Sequence, residues 1–205
     1  MYKRQACVIL EVTNSDQMKN LGFFLPLLLC LDVTGQSVFT NQTNAAIEKV
    51  IRDYPNQFRN IRGSLLLESQ ESTNYQSHIQ IPGALSCVVT RYNVSNKSAL
   101  AWKAELFESS SFHEAKEKYQ DLFAQIRNTI IKIEGEKPYI LNGQYEIPAQ
   151  EKRFHSVVFN MLPAVGGMQK VKVELSLVRQ SSAWKVNILI YDQDTVGGQE
   201  LVSGD

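Results

Sequence analysis

Residues 170–177 alternate between polar and apolar side chains without interruption. The apolar positions are Val171, Val173, Leu175 and Leu177, and the polar positions between them are Lys170, Lys172, Glu174 and Ser176. Side chains of a β-strand point alternately to the two faces of a sheet, so this segment fits a strand with one buried and one solvated face. The alternation therefore predicts a strand of a sheet with one apolar face.

Eight further segments have the alternation or the composition of strands. They are residues 64–68, 75–81, 84–92, 100–107, 130–134, 139–147, 153–162 and 183–191. Short connections with turn-forming residues join many of them, such as Pro82 and Gly83 between the second and third segments. Parallel neighbours would need crossovers of a dozen or more residues. The sequence thus predicts antiparallel meanders.

Two amphipathic helices interrupt the strands. The first has its apolar residues three and four positions apart, at Ile47, Val50, Ile51 and Tyr54. The second runs from about residue 112 to about residue 129, and it begins with Ser111 followed three residues later by Glu114, the spacing of a capping box. Each helix precedes about four strands. The resulting prediction is an α+β fold of two helix-plus-antiparallel-sheet units in tandem, at residues 36–110 and 111–192, with a loose tail at 193–205.

The two predicted units also share faint sequence similarity, which indicates an internal duplication. Residues 75–82 are similar in sequence to residues 142–148, and the tripeptide that begins at Trp102 is similar to the one that begins at Trp184. This order of elements resembles the tandem helix-and-sheet architecture of secreted β-lactamase inhibitor proteins and PepSY-type modules. The resemblance brings no motif, so it implies no functional residue.

An apolar run of eleven residues from Leu21 to Leu31 follows Met18 and Lys19. The run is too short to span a bilayer, which needs about 20 residues. A basic start, a short apolar region and small residues up to Gly35 are typical of a secretory signal peptide. We therefore expect residues 18–35 to be a signal cleaved before Gln36, residues 1–17 to lie outside the native protein, and no transmembrane segment to remain after cleavage.

Charge and motifs exclude several classes of function. The 21 basic and 21 acidic residues balance, which disfavours a nucleic-acid partner. The three cysteines, at positions 7, 30 and 87, are too scattered for a zinc site, and no phosphate-binding or dinucleotide-binding glycine motif occurs. We expect no metal, no cofactor and no catalytic residue, with Cys87 as a buried core thiol.

Four residues are candidates for ligand binding: His78, Trp102, His155 and Trp184. The two histidines occupy comparable places in the similar segments of the two units, so they are candidates to converge in space. Tyr145 and Phe159 would add aromatic surface to the same pocket. The competing interpretation places His78 on a solvated face and His155 at a sheet edge.

The last strands contain a surface basic patch, predicted at Lys170, Lys172 and Lys185, which would suit an anionic surface. Lysines on exposed strands also prevent aggregation, which is the competing explanation. Together these observations predict an exported, periplasmic or extracellular, non-enzymatic protein of the bacterial envelope that binds a protein or envelope component through an open sheet face. The alternative is a small-ligand-binding protein or hydrolase with a pocket between two sheets.

Overall fold

The computed structural model describes residues 35–94 and 97–193. The predicted segment 1–17, all but the last residue of the predicted signal peptide and the tail from residue 194 lie outside the described residues. The described residues form two helices, α1 (Gly35–Asp53) and α2 (Phe112–Ile126). The strands are β1 (Arg62–Glu68), β2 (Ser72–Ser77), β3 (Ser86–Val94), β4 (Lys97–Ser109), β5 (Ile130–Ile131), β6 (Tyr139–Asn142), β7 (Phe154–Leu162), β8 (Val171–Gln180) and β9 (Ala183–Asp192).

All nine of these strands form one antiparallel sheet in the order β1-β2-β3-β4-β9-β8-β7-β6-β5. The first four strands form a meander, α2 then carries the chain to the opposite edge, and the last five strands return toward the centre. The prediction of two helix-plus-sheet units in tandem is therefore wrong, because the fold is a single sheet that dominates two helices. The single sheet gives no support to a tandem repeat.

The pairing of β4 with β9 explains why the two meanders merge. Ala101–Glu105 faces Asn187–Tyr191, and Phe107–Ser109 faces Trp184–Val186 after a bulge. Both strands carry apolar residues on the same face of the sheet, including Trp102 and Ile190, which are directly opposite each other. Joining them buries one continuous apolar surface and removes two exposed edges.

Helix α2 covers one face of the sheet. Its buried residues include Phe123, whose ring centroid lies 5.6 Å from that of Phe159 on β7. At the other end of the helix, Phe112 lies 4.9 Å from Trp184 on β9. The hydroxyl of Ser111 accepts the N–H of Glu114 at 3.4 Å, as the sequence predicts for the helix start. Helix α1 packs beside α2, and the sheet face away from α2, here called the open face, carries neither described helix.

Three strands, β2, β5 and β6, end earlier than their sequence patterns predict. Strand β2 ends at Ser77, whose hydroxyl accepts the N–H of Ile79 at 3.0 Å and donates to the carbonyl of Ile79 at 2.8 Å. These local bonds replace strand pairing at Ile79. Strand β6 ends before Gly143, where an added Cβ would lie 2.8 Å from side-chain atoms of both Val157 and Phe159.

Candidate functional site

The open face carries a line of polar residues across five adjacent strands. Successive cross-strand partners place Ser86 beside Glu105, Glu105 beside Asn187, Asn187 beside Ser176, and Ser176 beside Ser156. We call Ser86, Glu105, Asn187, Ser176 and Ser156 the polar row. It crosses the centre of the sheet from β3 to β7, where every strand is paired on both sides.

Asn187 is the central residue of the polar row. Only 5% of its surface is exposed, although neither described helix covers this face. Its Oδ1 atom accepts no hydrogen bond from any described residue. Buried acceptors without a donor cost free energy, about 1–3 kcal/mol. A bound partner with a hydrogen-bond donor would satisfy this atom.

Glu105 lies next to Asn187 and is held by Lys185. The Nζ atom of Lys185 is 3.1 Å from Oε1 of Glu105 and 3.4 Å from Oε2 of Glu108. The hydrogen bond to Glu105 raises the pKa of Lys185 above its ordinary value. This ammonium group therefore stays charged and balances acidic side chains on the open face.

Glu174 lies beside the polar row on β8 and is half-buried. Burial raises the pKa of its carboxyl, while hydrogen bonds from Ser156 and Tyr191 act in the opposite direction. The Tyr191 hydroxyl donates to Oε2 of Glu174 at 3.4 Å. Burial, with the nearby Glu174 carboxyl, raises the pKa of Tyr191 to about 12. The phenol therefore stays protonated and remains a donor at neutral pH.

A groove of about 310 Å³ adjoins the polar row on β2, β3 and β4. Polar residues predominate among those that line it: Ser72, Asn74, Ser86, Val88, Thr90, Tyr92, Lys103 and Glu105. The buried Oδ1 atom of Asn74 accepts no hydrogen bond within the described part of the chain. The groove and the polar row share Ser86 and Glu105, so they form one continuous surface.

The two candidate histidines do not come together. His78 is exposed just after β2, and its backbone N–H donates to the carbonyl of Ile61 at 2.7 Å. His155 is 6% exposed on β7, with Nε2 2.8 Å from the carbonyl oxygen of Ala149. Four strands separate β2 from β7 in the sheet, so the distance across the sheet is about 24 Å. The contact of His155 with Ala149 therefore holds the loop before β7 against the sheet.

The two candidate tryptophans lie on the covered face, away from the polar row. Trp102 is fully buried and donates its indole N–H to Oγ of Ser77 at 2.9 Å. Trp184 is 3% exposed and packs against Phe112 of α2. Tyr145 and Phe159 are the other two aromatic candidates. The ring centroid of Tyr145 lies 4.8 Å from that of Phe123 on α2. These aromatic side chains belong to the packing between α2 and the sheet.

The three lysines of the predicted basic patch are divided along β8. Lys170 is exposed just before that strand, and the Nζ atom of Lys172 contacts Oδ1 of Asn160 at 2.8 Å. Lys185 pairs in register with Val178, six residues further along β8, which corresponds to about 20 Å. Since Lys185 is already bound to two carboxylates, the three lysines do not form one continuous cationic surface.

Cys87 is 4% exposed, and burial raises the pKa of its thiol, which lowers the thiolate fraction and hence nucleophilicity at neutral pH. Within residues 35–94 and 97–193, no group of three or more His, Cys, Asp or Glu side chains is placed to hold a metal ion. The described helices include none that is both long and apolar enough to cross a membrane.

Comparison with protein-family models, curated proteins and solved structures finds no match for this chain.

Sequence reasoning missed the polar row because its members are distant in the chain. Ser86, Ser156 and Ser176 are unremarkable polar positions in alternating strands. Only the strand register shows that they form a line with Glu105 and Asn187. The one available signal is Asn187, an amide within the otherwise apolar segment from Val186 to Ile190.

Proposed function

We propose that this protein is an exported, non-enzymatic binding protein of the bacterial envelope that meets a protein or envelope component through its open face. The observation that carries the proposal is the polar row with its adjoining groove on a sheet face that neither described helix covers. The surface is rigid, because a packed core on the covered face holds every strand that contributes to it. A preorganised surface of this kind limits the entropy lost on binding.

The chemistry of the open face favours a partner that supplies hydrogen-bond donors. The amide oxygens of Asn74 and Asn187 are buried acceptors that lack donors within the described residues. Lys185 balances the charge of Glu105, so the surface has little net charge to attract a polyanion. Backbone N–H groups, side-chain amides or hydroxyl groups of a partner match these features.

Export is the second part of the proposal. Cleavage before Gln36 would remove a single residue from the start of α1 and would leave the buried apolar residues of that helix, Ala46, Ile47, Val50 and Ile51, in place. The proposed mature chain therefore keeps the packing that holds the open face. N-terminal sequencing of protein recovered from the periplasm or medium should begin at or near Gln36. An intact terminus at Met1 on cytoplasmic protein would contradict export.

Photo-crosslinking tests the binding surface directly. A photoreactive amino acid replaces Lys103 or Val158 on the open face. Each variant is made as the full chain in the cells that naturally produce the protein, so that the partner is present. Matched controls carry the same amino acid at Glu117 or Gln120, which are exposed on α2. We expect a defined adduct from the open-face positions that the helix positions do not give. Adducts of equal yield from both sets, or from the helix positions alone, would contradict the proposal.

The alternative function, a ligand or substrate held between two sheets, has less geometric support. The described strands form one sheet, so they leave no space between sheets for such a pocket. His78 and His155, which would have provided its chemistry, lie on opposite sides of the sheet centre. We therefore place the binding surface on the open face.

A further inference from the structure

Strand β1 forms one edge of the sheet and is unusually apolar for an edge. Leu65, Leu66 and Leu67 are 55%, 54% and 61% exposed. Of the strands that the structure describes, only β2 pairs with β1. Edge strands of soluble proteins are normally protected by charges, prolines or a covering element, since an exposed apolar edge recruits another strand.

The opposite edge of the same sheet shows that protection. Strand β5 has only two residues, Ile130 and Ile131. Directly after it, the backbone N–H of Lys132 donates to Glu48 of α1 at 3.3 Å, and its carbonyl accepts the Nε–H of Arg52 at 2.6 Å. One edge is thus short and covered by α1. By contrast, β1 is seven residues long, has no charge from Gly63 to Leu67, and faces no described strand on its outer side, although two register shifts interrupt its pairing with β2.

The sequence of β1 is complementary to itself in an antiparallel arrangement. Leu65 is the middle residue of the strand, with Arg62 at one end and Glu68 at the other. If two copies pair antiparallel about Leu65, Arg62 of each copy lies opposite Glu68 of the other, and Leu65 of each copy faces Leu65 of the other. The guanidinium of Arg62 lies 4.7 Å from the ring centroid of Tyr75 on the neighbouring strand β2.

We propose that β1 is a homodimerisation edge at which a second copy of this chain adds its own β1 antiparallel, centred on Leu65. The two-fold axis stands perpendicular to the sheet, so both open faces point to the same side of the dimer. This inference is independent of the proposed function, because it rests on β1 alone.

Charge reversal tests the register. The variants Arg62→Glu and Glu68→Arg are made in the full 205-residue chain, and the self-association of each purified protein is measured by sedimentation equilibrium. Each single variant places like charges opposite each other at two contacts. We expect each to raise the dimer dissociation constant about tenfold, equivalent to about 1.4 kcal/mol. The double variant, and an equimolar mixture of the two single variants, should recover wild-type association, because both restore opposite charges.

Controls separate this effect from general changes in charge or folding. Lys152→Glu and Glu151→Arg make the same kinds of change on an exposed loop and should leave association unchanged. Circular dichroism confirms that each variant folds. A wild-type chain that stays monomeric, or single variants that do not recover on mixing, would overturn the proposal.

Cysteine cross-linking gives a second test that does not depend on charge. Leu65→Cys should form a disulfide between the two copies on mild oxidation, because position 65 faces itself at the two-fold axis. Leu67→Cys should not, since position 67 faces position 63 of the other copy. Peptide mass spectrometry distinguishes these disulfides from any at the native cysteines. Equal cross-linking at both positions would contradict the proposed register.

Discussion

The hydrogen bond between Trp102 and Ser77 should contribute strongly to the stability of the fold. Oγ of Ser77 accepts the indole N–H of the fully buried Trp102 at 2.9 Å and the backbone N–H of Ile79 at 3.0 Å. Ser77→Ala removes the acceptor for both donors. A buried donor left without a partner costs about 1–3 kcal/mol. Because Ile79 is only half-buried, its N–H can reach water, and we expect a total loss of about 2–3 kcal/mol in the free energy of unfolding.

Urea unfolding followed by tryptophan fluorescence measures this loss. Trp102→Phe removes the indole N–H, so Ser77→Ala should cost about 1–1.5 kcal/mol less in that background than in the wild type. Trp184 remains as the fluorescent reporter in the Trp102→Phe variant and in the double variant. Ser64→Ala, at an exposed serine of β1, is the matched control and should change stability by less than about 0.5 kcal/mol.

Two results would refute this reasoning. A loss below about 0.5 kcal/mol for Ser77→Ala would mean that the indole N–H finds another partner. A coupling energy near zero between the two substitutions would mean that Ser77 and Trp102 do not interact in the folded protein. Photo-crosslinking adds a functional control. If Trp102 only supports the core, Trp102→Phe should leave unchanged the adduct yield from a photoreactive amino acid at position 103.

Three further predictions concern other parts of the fold. Gly143→Ala should destabilise the protein by about 1–3 kcal/mol in urea unfolding, because its Cβ would meet Phe159 at 2.8 Å. Ser111→Ala should cost about 1 kcal/mol in the same assay by removing the cap that accepts the Glu114 N–H. Glu174→Gln should increase stability at neutral pH, because burial raises the pKa of this carboxyl in the folded state, and ionising it opposes folding.

The pH dependence of Glu174→Gln follows from the sign of that shift. The folded state holds the proton at pH values where the unfolded state has released it, so wild-type stability declines as pH rises through this interval. The difference between variant and wild type should therefore shrink as pH falls below the ordinary carboxyl pKa of about 4.5. A difference that is constant with pH would contradict this explanation.

The other two substitutions have their own controls. Ser110→Ala is the control for Ser111→Ala. Gly83→Ala tests whether replacing any glycine is as harmful as Gly143→Ala, although Gly83 has a positive φ that adds strain of its own.

Local structure was predictable from the sequence, whereas the joining of the two halves was not. Strand β8 alternates so regularly that its two faces can be assigned residue by residue, and Ser111 with Glu114 marks the start of α2. Strand β9 pairs with β4, and this pairing depends on apolar residues that are distant in the chain. One such pair is Trp102, which lies opposite Ile190. Periodicity describes one segment at a time and therefore cannot choose between two sheets and one.

The same limit applies to the candidate site. Rare residue types stand out in a sequence, which is why His155 and Trp102 are predicted to bind a ligand. In the structure, His155 contacts the backbone of Ala149 and Trp102 contacts Ser77 within the core. The indole N–H of Trp102 and the Nε2 atom of His155 are thus occupied by contacts within the fold itself. The polar row consists of common residues whose significance depends on cross-strand register, which requires knowledge of all five strands.

The polar row is also where the sheet departs from what stability alone would favour. Strand β9 places Asn187 between Val186 and Ile188, and an apolar residue there would leave no acceptor without a donor. Glu174, on the neighbouring strand, is a carboxyl that burial makes harder to ionise. Folded proteins concentrate such unfavourable groups at functional positions, where a partner compensates for them. Because both groups lie near the centre of the open face, contact with a partner that donates hydrogen bonds there would stabilise the protein.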